Sequence, residues 1–357
     1  MSIQRNVPLK QLSKRLIDLL FLLSFFLICS CQFKEDDIVP ATYPEMESVS
    51  VETFPFDCCE IDNCDKLFVL NNKLVSVNSF SQDGVMQLWD IDYHSYLGKA
   101  GYVGRGKDDI SFMNVLCCNS FHDKIYIHEQ YKYSIFECEF GNEKPLLKKR
   151  QSYYTEEVSI ANSFILFDDF AVLSSDNSDN VEFYKFNNNT KEQKPLFSFY
   201  NFKKNRGIMP QMMRMVFQGH AVKGPNSKYA VLYSNYPIIS INDVNKKTRT
   251  AYSWAYSKDT CYVDFKEGKL LLNKICYHDA CSNEHYICGL YYGIDSNDAE
   301  KTDPQTYKPE IHIWDWNGNF LRSLKINVFA NHVAIDKNNI LYMTSPFYGD
   351  RIFYLQI

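Results

Sequence analysis

The chain contains no His-Glu-x-x-His, no Gly-x-Ser-x-Gly and no Asp-rich calcium loop, so the local signatures of a zincin, a serine hydrolase and an EF-hand are all missing. It also lacks a basic stripe. Lys and Arg number 38 against 43 Asp and Glu, for a net charge of −5, and a balance of this kind is unsuited to nucleic acid. The same deficit leaves no polybasic surface for anionic lipid. Long apolar runs are scarce: one occurs near the N-terminus, and no second run could cross a membrane. Gly101-Tyr102-Val103-Gly104-Arg105-Gly106-Lys107 matches the Gly-x-x-x-x-Gly-Lys of a phosphate loop, but Asp108 stands where Ser or Thr must hold magnesium. A carboxylate there repels phosphate and no hydrophobic helix follows, so the segment reads as an inter-strand loop and no nucleotide or other cofactor is expected.

What is present begins at the N-terminus. Arg5, Lys10, Lys14 and Arg15 precede the apolar stretch Leu16–Cys29, interrupted by Asp18, and Ile28-Cys29-Ser30-Cys31 closes it. An aliphatic residue at −3, a small one at −1 and cysteine at +1 resemble the lipobox of bacterial lipoprotein signal peptides. The resemblance implies cleavage before Cys31 and acylation (palmitate or a similar chain) of its thiol and amino group. Each buried acyl CH₂ contributes about 0.8 kcal/mol, so a multiply acylated cysteine holds a soluble domain at a bilayer. The run is short for a transmembrane anchor, the competing reading. Residues 1–30 carry four basic groups and one acidic group, so their removal takes the net charge from −5 to −8. Gln32-Phe33-Lys34-Glu35-Asp36-Asp37 follows, an acidic cluster similar to the surface-export signal of Bacteroidetes lipoproteins. The expected organisation is a signal peptide at 1–30, a lipidated cysteine and flexible tether at 31–47, and one domain at 48–357.

From Val49 onward the chain reads as β throughout. Short runs rich in Val, Ile, Tyr and Phe alternate with Asn/Asp/Gly/Ser clusters, and no 3.6-residue period intervenes. A repeat narrows the architecture. Met86-Gln87-Leu88-Trp89-Asp90-Ile91 and Ile311-His312-Ile313-Trp314-Asp315-Trp316 share a strand–turn–strand layout. His122-Asp123-Lys124-Ile125-Tyr126-Ile127 and Lys337-Asn338-Asn339-Ile340-Leu341-Tyr342 share a second phrase. A period of about 45–55 residues is blade-sized, and the length after Cys31 accommodates about six such units. The fold class predicted is all-β: a six-bladed β-propeller of four-stranded antiparallel blades. The isolated strand near Val49–Pro55 would complete the blade formed by Arg351–Ile357, removing a free sheet edge.

Taken with the lipobox and the Leu-Trp-Asp strands, the first-blade loop resembles that of the TolB-like six-bladed β-propeller lipoproteins of Bacteroidetes. In that family a Gly-x-Gly-Pro-Gly-Glu-Phe loop is common. Here Gly104 and Gly106 fit the glycines, Asp109 stands at the acidic position, Ile110 replaces the aromatic residue, and Lys107-Asp108 departs from Pro-Gly. His285–Gly293 resembles the family's fifth blade. The resemblance carries no established reaction.

Of the twelve cysteines, ten follow the signal region. The densest constellation is Cys276, His278, Cys281, His285 and Cys288. Its three thiols are compatible with buried hydrophobic cysteines, with a cross-strand disulfide in which Cys276 faces Cys288, or with a metal site. Cys58-Cys59 and Cys117-Cys118 would each send one side chain to the core. The remaining histidines are scattered and read as surface or strand residues, and Met209–Phe217 as a loop leading into the fourth blade. Tyr252, Trp254, Tyr256, Tyr291 and Tyr292 suit either stacking on sugar rings or packing between blades.

No catalytic set emerges. The expected function is a non-catalytic binding module, lipid-anchored at the cell envelope, in the outer membrane and exposed at the surface, with a protein, peptide or glycan partner. The alternative is a hydrolase or lyase using a metal held in the central channel. Three or more carboxylate or Asn side chains converging in that channel would favour the enzyme.

Overall fold

A computed structural model describes residues 37–57, 61, 63–81, 83–104, 106, 109–110, 113–121, 124–129, 134–140, 147–154, 163–174, 180–201, 210–256, 263–266, 269–299, 301–303 and 305–357. Cys31, Cys58, Cys59, Cys261, Arg105, Lys107 and Asp108 lie outside the described residues, as does the side chain of Cys117.

Three short strands come first: β1 (Ile38–Pro40), β2 (Met46–Val49) and β3 (Glu52–Thr53). Blade one follows with β4 (Lys66–Leu70), β5 (Lys73–Val77), β6 (Met86–Asp90) and β7 (Ser95–Ala100). Blade two has β8 (Met113–Phe121), β9 (Lys124–Glu129), β10 (Ser134–Phe140) and β11 (Leu147–Tyr154). Blade three has β12 (Phe164–Leu166), β13 (Phe170–Ser174), β14 (Val181–Asn187) and β15 (Gln193–Ser198). Blade four has β16 (Gly219–Lys223), β17 (Lys228–Tyr233), β18 (Ile239–Asp243) and β19 (Thr248–Ser253). A two-stranded ribbon, β20 (Val263–Lys266) and β21 (Lys269–Leu272), precedes blade five. That blade has β22 (Lys274–Ser282), β23 (Tyr286–Asp295), β24 (Glu310–Asp315) and β25 (Phe320–Ile326). Blade six has β26 (His332–Ile335), β27 (Ile340–Thr344) and β28 (Phe353–Gln356), and β3 supplies its fourth strand. The protein is a six-bladed propeller of four-stranded antiparallel blades, closed by its N-terminal strand. Neighbouring inner strands touch all the way round, with β26 meeting β4 to complete the ring.

Because each blade is sandwiched between two others, its inner strands lose the alternation of a half-exposed sheet. All five residues of β6, of β13 and of β18 are buried, whereas the outer strand β15 has none that is. The repeated tryptophans fill corresponding gaps. Trp89 packs with Leu67, Leu74, Ala334 and Tyr342 between blades one and six; Trp314 packs with Leu232, Ile239 and Tyr277 between blades five and four. Both are fully buried. The acidic residue after each caps the turn to the outer strand. Asp90 Oδ1 accepts the amides of Asp92 and Tyr93, both at 3.0 Å, and Asp315 Oδ1 accepts those of Asn317 at 2.8 Å and Asn319 at 2.9 Å. Asn187 and Asp243 do the same in blades three and four. The repeat therefore extends to blades without the Trp-Asp spelling.

The N-terminal segment is not free up to residue 47. β1 pairs in parallel with β19 on the outside of blade four, and β2 pairs in parallel with β25 on blade five. Between them Tyr43 enters an aromatic niche of Trp254, His312 and Phe320, and its hydroxyl donates to Glu310 at 2.6 Å. Glu47 takes a bidentate pair from Arg322, at 2.9 and 2.8 Å. Residues 38–53 thus strap three blades from outside. The stretch read as a loop at Met209–Phe217 contains a short helix, Pro210–Val216, with Pro210 at its first position, where the missing N–H has no intrahelical acceptor to lose. No helix among the described residues is long and apolar enough to cross a membrane.

Candidate functional site

The inner strands run parallel to one another around a central channel. Its cavity of about 530 Å³ is within the usual range for small-ligand sites. The walls come from all six blades: β4, Cys118 to Ser120, Ser163 and Phe164, His220 to Lys223, Ala280 to Ser282, and Ala334 with Ile335. The turns after the inner strands form an exposed rim that includes Asn71, Asn226 and Glu284.

At the opposite end sits one buried carboxylate, Asp279. A bulge puts it there. Tyr277 pairs with Tyr291 while Asp279 pairs with Leu290, so His278 is an extra residue and the strand turns at that point. Asp279 Oδ1 accepts the ammonium of Lys66 and its neighbour's amide, Ala280 N–H, at 2.8 Å; Oδ2 accepts Val333 N–H at 3.1 Å. His332 Nδ1 lies 3.2 Å from Oδ2, and His220 Nδ1 lies 3.6 Å from Oδ1. Lys66 opens β4, His332 opens β26 and His220 is second in β16, so the carboxylate gathers blades one, four and six onto blade five. His278 stacks on Tyr292 with centroids 4.6 Å apart and approaches His332 at 6.1 Å.

Burial works to raise the Asp279 carboxyl, but Lys66, His332 and His220 together overcome it and hold the group well below the usual carboxylate range. Burial pushes His220 down to about 3, against the pull of Asp279. Burial and the adjacent His332 take His278 down to about 4. At neutral pH these two rings are uncharged, and the floor is one ion pair ringed by imidazoles.

This donor set does not suit a channel-bound metal. Asp279 is committed to Lys66, two imidazoles and two amides, and among the described residues no three His, Cys, Asp or Glu side chains share a position for an ion. Among the described residues no three carboxylates converge there, while Asn71, Asn119, Asn226, Asn283 and Glu284 line the cavity. Glu129 lies at the end of β9 in blade two, while the carboxylate of Asp336 caps the turn of blade six through Asn338 N–H and Ile340 N–H, both at 2.8 Å. Of the histidines that looked scattered, His220 and His332 join His278 at one point. Only ring closure brings them together, although all three lie on inner strands.

The three thiols of the dense constellation separate differently from expectation. Cys281, not Cys276, is the Cα partner of Cys288. The hairpin turn sets that register, and Cys276 lies in the apolar layer toward blade four while Cys288 lies in the layer toward blade six. Cys64, Cys276, Cys281 and Cys288 are free thiols. Gly104, Gly106 and Asp109 do come together, around the loop itself: Gly106 N–H donates to Asp109 Oδ2 at 2.6 Å, and a Cβ on Gly104 would fall 2.2 Å from that oxygen. Trp254 and Tyr291 pack between blades with Tyr277 and His312.

No known family profile matches the chain, and no curated protein matches it. Solved structures do. A member of the DUF4221 family from Bacteroides vulgatus aligns with a TM-score of 0.53 at 13% identity, covering 86% of this chain and 96% of its own. A Bacteroides fragilis protein provisionally named as exported aligns with a TM-score of 0.49 at 10% identity, covering 88% of this chain and 98% of its own. At these identities the likeness is one of fold: this chain shares the propeller architecture of the Bacteroides vulgatus protein across nearly the whole length of both.

Proposed function

We propose that the protein is an exported lipoprotein of the TolB-like kind, anchored through Cys31 in the outer membrane and exposed at the cell surface, where it acts as a non-catalytic binding module. The observation that carries this reading is the central cavity, about 530 Å³, whose exposed rim is built from turn residues of several blades, while the buried carboxylate of Asp279 at the opposite end is spent on holding the blades together. The wall and rim carry amides, hydroxyls and the Glu284 carboxylate, a set that suits a glycan or a peptide loop bound by hydrogen bonds. A hydrolase or lyase with a channel metal has less support, because Asp279 has no free valence for it.

The experiment is binding of the mature protein to a defined glycan array and a defined peptide library, with Lys223→Glu and Glu284→Arg variants in parallel. Retention by specific members, weakened at least tenfold in the rim variants, supports the cavity as the site. Equal retention by wild type and both variants places recognition elsewhere. Mass spectrometry of protein extracted from membranes, with Cys31→Ala as control, tests the anchor. An unprocessed N-terminus without acyl mass overturns it.

A further inference from the structure

Cys281 on β22 and Cys288 on β23 face each other directly in the antiparallel ladder. Directly opposed residues in such a ladder have Cα atoms about 4.5–5.5 Å apart. A disulfide spans Cα separations of about 4.4–6.8 Å, so the backbone is already in place for one. The hairpin beyond the pair is tight: Asn283 N–H donates to Tyr286 O at 3.0 Å, and Asn283 Oδ1 accepts the amides of His285 and Tyr286, both at 2.9 Å. Access is one-sided. Cys281 is partly exposed and lines the central cavity, while Cys288 is fully buried behind it. No other described cysteine is a ladder partner of either.

We infer that Cys281 and Cys288 are a redox couple, oxidised through the cavity by a small disulfide to an intramolecular cross-strand bond. In the first step the Cys281 thiolate attacks one sulfur of the oxidant, the oxidant's S–S bond breaks, and one of its thiolates leaves. In the second, Cys288 gives its proton to solvent base and attacks the Cys281 sulfur, expelling the other oxidant thiolate. Two electrons pass from the protein thiols to the oxidant, and the two released thiolates take up the two protons. The bond would lock the turn that carries Asn283 and Glu284, two residues from the carboxylate that gathers the blades. Burial and the adjacent sulfur raise the Cys281 thiol, so the exchange accelerates as pH rises above neutral. The inference stands apart from the proposed binding role, since it requires only the ladder and the cavity.

The test treats the reduced, full-length protein with oxidised glutathione, blocks remaining thiols with iodoacetamide in denaturant, and maps peptides without reduction. Trypsin and an endoproteinase specific for glutamate cut after Lys274 and Glu284, separating Cys276 and Cys281 from Cys288. The expected result is a linkage between the two fragments in wild type and in Cys276→Ser, with none in Cys281→Ser. Iodoacetamide labelling of both Cys281 and Cys288 after saturating oxidant overturns the inference. So does a stable glutathione adduct on Cys281 that never resolves, or a linkage that requires Cys276. Because the wild-type linkage is itself the readout, a variant that fails to fold does not decide the outcome.

Discussion

The ammonium of Lys66, the first residue of blade one, reaches the buried carboxylate of Asp279 on blade five, a blade with which blade one shares no sheet. The pair bypasses blade six and ties the two sides of the ring closure together. Replacing Asp279 by Asn leaves Lys66 facing two imidazoles without its counter-ion. Breaking a buried pair in this way costs about 3–5 kcal/mol. Urea denaturation of Asp279→Asn is expected to show that loss, and Lys66→Met/Asp279→Asn a smaller one. Equal losses in the two variants would mean that the carboxylate's amide contacts, and not the ion pair, carry the effect.

Acid should open the same centre. His220 and His278 titrate near 3 and 4 when folded, against about 6.5 unfolded, so the unfolded chain takes up protons first as pH falls. Their contribution is fully present above pH 6.5 and is lost as pH drops through the window toward 3. Asp279, also depressed, adds a loss of the same sign below about pH 4. Melting temperature followed from pH 7 to 4 is expected to fall more steeply in wild type than in His220→Gln/His278→Gln. A parallel course in the two proteins would assign acid sensitivity elsewhere.

Trp314 stacks on Phe320 with centroids 4.4 Å apart in the layer between blades four and five, as Trp89 fills the layer between blades six and one. Trp314→Ala and Trp89→Ala should each lose about 3–5 kcal/mol in chemical denaturation. Tyr93→Ala, at a residue 82% exposed, should stay within about 0.5 kcal/mol.

The first-blade loop offers a coupled pair. An alanine at Gly104 collides with the Asp109 carboxylate, which Gly106 N–H holds in place. Gly104→Ala should therefore destabilise by about 1–3 kcal/mol. Adding Asp109→Ala should recover most of that loss, giving a coupling well above the ~0.5 kcal/mol expected of independent sites. Additive losses would show that the glycine serves backbone conformation alone.

Most of the architecture was legible because blade-forming residues act locally. Trp89-Asp90 and Trp314-Asp315 each pair a layer-filling ring with a turn-capping carboxylate, and both jobs leave a mark within a few residues. Phe186-Asn187 and Asn242-Asp243 perform the capping with other neighbours, so the repeat was half visible. The centre was harder. Asp279 sat in a constellation rich in thiols and imidazoles, but its partners Lys66 and His332 come from opposite ends of the chain and meet only when the ring closes. Register was the other obstacle. The tight turn at Asn283–Tyr286 sets Cys281, not Cys276, opposite Cys288, and where a hairpin turns is a property of the paired strands that one strand's sequence does not display.

The external strap decides where mechanical load enters the molecule. A pull on the chain ahead of Ile38 is met first by the parallel ladder with blade four, then by the Tyr43 niche, then by the ladder with blade five and the Glu47–Arg322 clamp. Only behind these does the force reach β3, the strand that closes the ring. Tension applied there is thus shed into two complete blades before the closing strand is stressed.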